Sequence, residues 1–323
     1  MKKQREYRNR LIMGPIMLVF FAAVFYLDEL MGGVRLPDFL LPIGRTFNHE
    51  RFPAGTAIFP VIVAIALFAA REMTAILAGK GIQASKRVMT FAALLGLFIT
   101  AFVPDEIPGR AGGAGAAGAA IVSFSAAAVL AFSMIFYARN RSVQGIVAAA
   151  GGALLAFVYL GLMFGAMVAI RREHTAWLLL WTLITTKSCD IGAYFTGRAI
   201  GRHKLIPWLS PGKTWEGLAG GLLFSTLVGY AGIVLLNRTV DLSMPPLWAC
   251  LVPGFVFGLV GQAGDLMESV FKRDAAIKDS GALVPGMGGV LDVLDSVLLV
   301  APLAYWWLRV GVSYGWLIKT PPL

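Results

Sequence analysis

The sequence is poor in charged residues and in cysteine. Asp, Glu, Lys and Arg make up only 14% of its 323 residues, whereas soluble domains carry about 25%. The two cysteines, Cys189 and Cys250, lie in apolar stretches without partners at metal-ligand spacing. Their isolation excludes a disulfide framework and a structural zinc site, and the shortage of charge excludes an ordinary soluble domain.

Basic residues exceed acidic ones, 28 against 18, but they stand in short patches between apolar runs. A nucleic-acid-binding protein clusters its basic residues on an otherwise polar surface, so we expect no nucleic-acid partner. The hydrophobic share of 58% instead indicates a chain surrounded by membrane lipids.

Apolar segments long enough to cross a bilayer, which takes about 20 residues, recur along the whole chain. Nine are found, at approximately residues 11–27, 54–70, 88–103, 114–137, 143–170, 176–197, 216–236, 245–268 and 289–310. The first is longer than the apolar core of a signal peptide, which favours a retained helix. The predicted fold is all-α: a polytopic integral membrane protein with about nine transmembrane helices.

Lys and Arg residues give this topology a direction. With the N terminus in the cytosol, about two thirds of the 28 Lys and Arg residues fall in the inner segments, as expected for cytoplasmic loops. An odd number of spans then leaves the C terminus outside. Small residues four positions apart, as at Gly161/Gly165, Gly217/Gly221 and Gly254/Gly258, predict close helix packing.

Charged residues inside the apolar spans concentrate in the second half of the chain, whereas the spans of the first half, through about residue 170, carry almost none. The six are Lys187, Asp190, Asp265, Glu268, Asp292 and Asp295. Each charge costs about 2.5–3.5 kcal/mol in a membrane and is a functional candidate. Lys187 and Asp190, three residues apart, can also neutralise each other as a structural pair.

Four of these acids flank one inner loop. Asp265 and Glu268 close the eighth span, Asp292 and Asp295 open the ninth, and each pair lies on one helical face. Carboxylates that leave positions free for water and phosphate suit Mg²⁺. We therefore predict a Mg²⁺ site with Asp265 and Asp292 as main ligands and the other two in support; acids solvated by lipid headgroups are the alternative.

Basic residues accompany these acids. Lys272, Arg273 and Lys278 suit a polyphosphate, although a basic loop is also an ordinary determinant of orientation. The preceding inner loop, residues 210–216, is not a Walker A motif and is interpreted as a turn entering a helix, with Thr214 as N-cap. Lys213 stands unfavourably at that helix N terminus unless an anion shares the site.

Three blocks of sequence resemble the signature of CDP-diacylglycerol synthases, also called phosphatidate cytidylyltransferases. They are residues 190–198, residues 210–217 and a long block from Ser269 to Ser296. The resemblance implies transfer of a cytidylyl group from CTP to phosphatidic acid, giving CDP-diacylglycerol and pyrophosphate for phospholipid biosynthesis. It also implies a Mg²⁺ cofactor and a homodimer, while a second, monovalent cation such as K⁺ stays open. We expect the protein in a bacterial-type cytoplasmic (inner) membrane.

The resemblance assigns roles residue by residue. The catalytic residues would be Asp190, Lys213, Lys272, Arg273, Lys278 and Asp279. Substrate contacts would come from Ser210, Pro211, Gly212, Lys213, Thr214, Glu216, Gly288 and Gly289. The metal ligands would be Asp265, Glu268, Asp292 and Asp295. Met287 stands where the family usually has His, and Val293 where it usually has Arg; the retained acids and lysines favour an active, divergent branch.

Two regions follow from this placement: N-terminal transmembrane helices that act as scaffold and contact lipid, residues 1–170, and a C-terminal transmembrane catalytic region, residues 171–323. Two other functions stay open. A CTP-dependent polyprenol or phytol kinase would bring a lipid hydroxyl to the same site. A membrane transporter would also explain charge inside the membrane, but its charges should lie near the midplane rather than at one face.

Overall fold

The computed structural model describes residues 2–37, 41, 50–102, 114–139, 143–239, 245–284, 286 and 288–315. Met287, one of the two departures from the family signature, lies outside this part of the chain. The described residues form nine long helices and one short hairpin. In order these are α1 (Lys2–Gly33), α2 (Ile58–Gly79), α3 (Lys86–Phe102), α4 (Ala114–Ala138), α5 (Ile146–Glu173), α6 (Ala176–Ile200), β1 (Lys204–Ile206), β2 (Ser210–Thr214), α7 (Trp215–Thr239), α8 (Leu247–Asp274) and α9 (Val290–Ser313).

Seven of the nine described helices are long and apolar enough to cross a membrane, namely α1, α2, α4, α5, α7, α8 and α9. Helix α3, with 17 residues, and α6, which carries Lys187 and Asp190, are not among the seven. The expected all-α, multi-pass membrane architecture is confirmed, while nine crossings remain a prediction.

Helices α6 to α9 pack on one another, and α9 also packs against α2 and the last part of α5. Small residues make the close approaches. A Cβ on Gly161 would lie 2.6 Å from the Ala93 carbonyl oxygen, and one on Gly254 would lie 2.6 Å from Thr226 Cα. Helices in lipid gain little from burying apolar surface and depend on such tight contact, so the packing role predicted for the small residues is confirmed.

Two helices of the first half extend beyond their predicted apolar spans. Helix α2 continues to Gly79 and includes Arg71 and Glu72, and α1 continues through Asp28 and Glu29. The predicted spans of the first half contain no Asp, Glu, Lys or Arg, as expected, and these charges lie in the helix segments beyond them. Hydropathy detects the lipid-facing core of a helix, whereas the helix itself continues where protein partners accept its polar groups.

Asp28 and Glu29 of α1 contact three other helices, α2, α5 and α6. Asp28 accepts hydrogen bonds from the backbone N–H groups of Gly55, Ala57 and Ile58 at the start of α2 (3.1, 2.7 and 3.1 Å), and it forms an ion pair with buried Arg171. Glu29 accepts a 2.9 Å bond from the N–H of Ala176 at the start of α6. These carboxylates satisfy N–H groups that helix geometry leaves without partners.

Residues 204–214 form a hairpin. Ser210–Thr214 pairs antiparallel with Lys204–Ile206, so the predicted turn before α7 is wrong, and Lys213 lies on a strand. Pro and Gly hide the strand pattern in the sequence, since neither favours a strand. Thr214 is the N-cap as predicted, because its Oγ1 accepts a 3.1 Å hydrogen bond from the Gly217 N–H.

Candidate active site

Three carboxylates meet where α8 and α9 face each other. Asp265, Glu268 and Asp295 each place an oxygen within 4.8 Å of the others, and Glu268 and Asp295 are buried. The helical spacing explains the meeting on the α8 side, because residues three apart share a face. Three hard oxygen ligands converging in this way are suited to a divalent cation such as Mg²⁺.

Glu268 has an unusual environment among these three. Its side chain is fully buried; Oε2 lies 2.6 Å from Lys272 Nζ, while Oε1 has no hydrogen-bond partner among the described residues. A buried carboxylate oxygen without a partner is costly, and a bound cation would remove that cost. The donor set and this orphaned oxygen fit a metal ion.

Lys187 connects α6 to the three carboxylates. Its Nζ donates a 3.0 Å hydrogen bond to Asp295 Oδ1 and lies 3.7 Å from Asp190 Oδ2. The predicted Lys187–Asp190 pair therefore exists, but the closer partner of the lysine is Asp295. Only the packing of α6 against α9 could reveal that contact.

Lys213 reaches into the same region from β2. It forms an ion pair with Asp265 and donates a 2.8 Å hydrogen bond to Gln262 Oε1. The amide of Gln262 in turn donates to Asp190. Gln262, which is buried on α8, thus connects two predicted catalytic residues, and sequence reasoning missed it because an uncharged side chain in an apolar span gives no signal.

Asp292 lies beside the three-carboxylate cluster rather than in it. Its Oδ1 accepts a 2.6 Å bond from Lys272 Nζ. Its Oδ2 accepts bonds from the N–H and hydroxyl of Ser280, both 2.8 Å, and from the Gly289 N–H, 2.6 Å. Four donors occupy this carboxylate. Asp292 thus binds the loop between α8 and α9. The sequence predicted Asp292 beside Asp265, but the α9 carboxylate that joins Asp265 in the cluster is Asp295.

Glu72 of α2 reaches the same loop from the first half of the chain. Its Oε1 accepts a 2.9 Å bond from the Val290 N–H, and its Oε2 accepts a 2.9 Å bond from the Leu291 N–H. Oε2 also lies 3.1 Å from the Ser280 hydroxyl, whose single proton it shares with Asp292. Nothing in the sequence pattern pointed to Glu72, because it lies 218 positions before Val290 and just past an apolar run.

The loop glycines are explained by Glu72 and Asp292. A Cβ on Gly281 would lie 2.6 Å from Glu72 Oε1, and one on Gly289 would lie 2.6 Å from Glu72 Cδ. A Cβ on Gly288, whose φ is +100°, would lie 2.9 Å from Asp292 Cγ. The sequence predicted that Gly288 and Gly289 approach a ligand closely; among the described residues, the side chains nearest to them are those of Asp292, Glu72 and Ser280.

The remaining predicted site residues lie around this centre. Arg273, Lys278 and Asp279 are exposed at the end of α8 and in the loop after it, and Arg273 Nε donates a 3.5 Å bond to the Leu209 carbonyl. On the hairpin, Ser210 is half-buried and Pro211 and Gly212 are exposed.

Glu216 stabilises the hairpin rather than facing the acids. Its carboxylate accepts bonds from the N–H groups of Arg202, 3.1 Å, and His203, 3.2 Å, and lies 2.6 Å from His203 Nδ1. His203 is exposed.

A cavity of about 1030 Å³ joins these charges to the apolar interior. Its polar end is lined by Lys187, Asp190, Asp265, Lys272, Asp279, Asp292 and Asp295. Its apolar part is lined by side chains of α1, α2, α5, α6, α7 and α9, among them Leu18, Phe21, Ile62, Leu180 and Val228. Val293, the second departure from the family signature, is also in the lining.

Tyr159 is a third residue that sequence reasoning missed, after Gln262 and Glu72. It lies in the π-helical turn Ala156–Leu162 of α5, packs edge-on against Phe271, and its buried hydroxyl has no hydrogen-bond partner among the described residues. The hydroxyl is within electrostatic range of the three clustered carboxylates. π-Turns inside helices are frequent at functional sites.

Several known proteins are similar in sequence to this chain. Bacterial proteins named phosphatidate cytidylyltransferase are 43% identical over 150 residues in Staphylococcus epidermidis, 37% over 153 in Bacillus subtilis and 37% over 174 in Haemophilus influenzae. The matched segments cover 46, 47 and 52% of this chain and 55, 55 and 57% of those relatives. The chain thus spans about half the length of the curated relatives it matches.

A match to a family model covers more of the chain than the matches to these relatives do. Residues 51–310 match the one described as the cytidylyltransferase family, which includes α2 with Glu72 as well as every site residue described above. The motif resemblance is confirmed, and the chain belongs to the cytidylyltransferase family.

Proposed function

We propose that this protein transfers the cytidylyl group of CTP to phosphatidic acid, forming CDP-diacylglycerol and pyrophosphate. The cavity supports this function best: one end is apolar and suits acyl chains, while the other is rich in charge and suits phosphates. The relatives described above are named for the same activity, and family membership supports CTP as the nucleotide.

The charge of the site supports a divalent cation. Asp190, Asp265, Glu268, Asp292 and Asp295 face three lysines, which leaves an excess of two negative charges. CTP and phosphatidic acid are both anionic and would be repelled by these carboxylates alone. Asp265, Glu268 and Asp295 would hold Mg²⁺, which supplies charge neutralisation and Lewis acidity at the reacting phosphate.

Lys213 and Lys272 are the residues placed to receive the triphosphate. Each is paired with a carboxylate of the site, and each ammonium can exchange that contact for a phosphate oxygen, where charge-assisted bonds are strong. Arg273 and Lys278, exposed beside them, draw the nucleotide from solution. Asp292 and Glu72 hold the loop on which these groups depend.

The reaction needs no side-chain nucleophile. An ionised oxygen of phosphatidic acid forms a bond to the α-phosphorus of CTP, the bond from that phosphorus to the bridging oxygen breaks, and the electron pair leaves with pyrophosphate. The protein contributes orientation of the two phosphates and neutralisation of the developing charge. Partial burial of the site strengthens the electrostatic effect, because charges interact more strongly away from bulk water.

We place the site at the cytosolic face of a bacterial-type inner membrane. The exposed cations Lys80, Arg198, Lys204, Arg273 and Lys278 lie at the same helix ends as the site, in agreement with the enrichment of basic residues on the cytosolic side. The N terminus is then cytosolic and the C terminus outside. A homodimer and a second, monovalent cation remain predictions.

One assay separates the three functions considered. The purified protein is incubated with Mg²⁺, vesicles and CTP labelled at either the α- or the γ-phosphate, with phosphatidic acid or a polyprenol as acceptor. Label from the α-phosphate in lipid, only with phosphatidic acid present, is the expected result. Label from the γ-phosphate in polyprenol would establish a kinase instead. No labelled lipid under any condition would refute both enzymes and favour a transporter.

A further inference from the structure

We propose that Glu72 is a positioning residue that sets the geometry of the three-carboxylate cluster from outside it. The inference rests on the proposed function and extends it to a residue of α2, in the half of the chain predicted to be only scaffold. Glu72 touches neither the cluster nor the cavity lining; it acts through the N terminus of α9.

The contacts of Glu72 fix the first turn of α9. Its two carboxylate oxygens accept the N–H groups of Val290 and Leu291, each at 2.9 Å. These are the first two N–H groups of the helix, which have no partners within it. Asp295 follows Leu291 by four residues, or about one helical turn, so a shift of the capped end moves Asp295 with it.

Glu72 and Asp292 act on the same loop residue. The Ser280 hydroxyl lies 3.1 Å from Glu72 Oε2 and 2.8 Å from Asp292 Oδ2. Asp292 also accepts the Gly289 N–H. The Ser280 hydroxyl thus lies between a carboxylate of α2 and a carboxylate of α9. These contacts fix the loop between α8 and α9 and so hold Asp295 of α9 against the carboxylates of α8.

The loop between α8 and α9 has glycines where it passes the Glu72 carboxylate. Gly281 and Gly289 both approach Glu72 so closely that a Cβ at either would come within 2.6 Å of its carboxyl atoms. The helix bearing Glu72 packs against α9 and ends in an exposed ion pair, Lys80–Asp274 at 2.8 Å, with the end of α8. The position of α2 relative to α8 and α9 is therefore defined at two points.

Groups that orient metal ligands from outside the first coordination shell contribute strongly; their loss costs about 10- to 100-fold in metal affinity or activity. Glu72→Gln keeps the size of the side chain but replaces one acceptor by a donor that faces a backbone N–H. We expect Mn²⁺ binding, followed by electron paramagnetic resonance, to weaken about tenfold. The kcat should fall about tenfold with the KM for CTP within twofold of the wild type.

Hydrogen exchange tests the contact independently of catalysis. Amides 289–291 should exchange faster in Glu72→Gln than in the wild type. Glu29→Gln is the matched control, because Glu29 also accepts an N–H at a helix start, that of Ala176, far from the carboxylate cluster. The control should show wild-type Mn²⁺ affinity, kcat and exchange at 289–291.

Several outcomes would overturn the proposal. Unchanged hydrogen exchange at amides 289–291 would refute the contact with Glu72. Faster exchange together with wild-type Mn²⁺ affinity and kcat would show that Glu72 only caps α9 and does not position the cluster. If Glu72→Gln does not fold, Glu72→Asp, one methylene shorter, carries the test, and wild-type Mn²⁺ affinity in that variant contradicts the role. If the wild-type protein binds Mn²⁺ but transfers no cytidylyl group, the proposed function is refuted. The hydrogen-exchange and Mn²⁺-binding measurements would then still test the positioning role of Glu72.

Discussion

Lys187 Nζ donates a 3.0 Å hydrogen bond to Asp295 Oδ1, joining two charged residues 108 positions apart. Asp295 is buried and lies beside two other acids, and the Lys187 ammonium offsets its charge. The contact connects α6, with its Asp190, to the carboxylate cluster between α8 and α9.

Removing that cation should destabilise the protein. Lys187→Met leaves the buried Asp295 carboxylate without its ammonium partner, so we expect a lower thermal unfolding temperature in detergent. Combining Lys187→Met with Asp295→Asn should recover part of the loss, with a coupling free energy of about 0.5–3 kcal/mol. Strictly additive effects of the two changes would show that the pair does not interact.

Lys213 is expected to bind the triphosphate. Lys213→Met removes a charge-assisted contact worth about 1.5–3 kcal/mol, so the KM for CTP should rise about 10- to 100-fold, as measured by initial rates at varied CTP. Lys80→Met is the control, because Lys80 also pairs with an aspartate but on the surface. Wild-type KM and kcat in Lys213→Met would exclude the assigned role.

The carboxylates should divide into two groups. Asp265→Asn and Asp295→Asn each remove a charged oxygen from the cluster, so both should lose at least about 100-fold in transfer and bind Mn²⁺ weakly, since even groups behind the ligands matter 10- to 100-fold. Asp292→Asn should loosen the loop as Glu72→Gln does, so we expect about tenfold weaker Mn²⁺ binding and about tenfold lower kcat, a smaller loss than in either cluster variant.

Asp274→Asn, which alters an exposed ion pair, controls for a change of charge near the site. Equal loss of Mn²⁺ affinity in Asp292→Asn and Asp265→Asn would restore Asp292 as a main ligand. Near-normal activity in both Asp265→Asn and Asp295→Asn would instead favour acids that are merely solvated by headgroups.

Arg171 should matter for stability rather than for chemistry. It is buried with Asp28, donates a 2.8 Å bond to the His174 carbonyl, and lies 3.2 Å from Glu29. Arg171→Met leaves two acids without a cation, and breaking a buried pair costs about 3–5 kcal/mol. Denaturation should show this loss, whereas Lys80→Met, in an exposed pair, should cost at most about 1 kcal/mol.

The orientation of the chain can be tested with tags at its two ends. A tag at the N terminus should be protected from external protease in intact cells, and a tag on a C-terminal extension should be cleaved. Both tags on the same side would refute nine crossings and would require one of the two helices that are not among the seven long, apolar ones, α3 or α6, to stop within the membrane.

Much of the fold follows from the sequence because hydropathy is a local property. Apolar runs of bilayer length placed eight helices within about four residues of their centres and α2 within about seven, and small-residue spacing predicted close packing such as that at Gly161. Local chemistry also identified the cap at Thr214. The sequence did not predict the hairpin, because Pro211 and Gly212 disfavour a strand and the partner strand is a separate segment.

The sequence alone determined a membrane-embedded helical protein, its family, and the acids and lysines that gather at one face, because composition, spacing and motif are written along the chain. Only the tertiary structure decided which of these residues meet. It placed Asp295 rather than Asp292 beside Asp265, brought Lys187 to Asp295, and introduced Glu72 from 218 positions away. Such contacts depend on how helices pack side by side, and helix packing is set by the shapes of facing surfaces that no local pattern records.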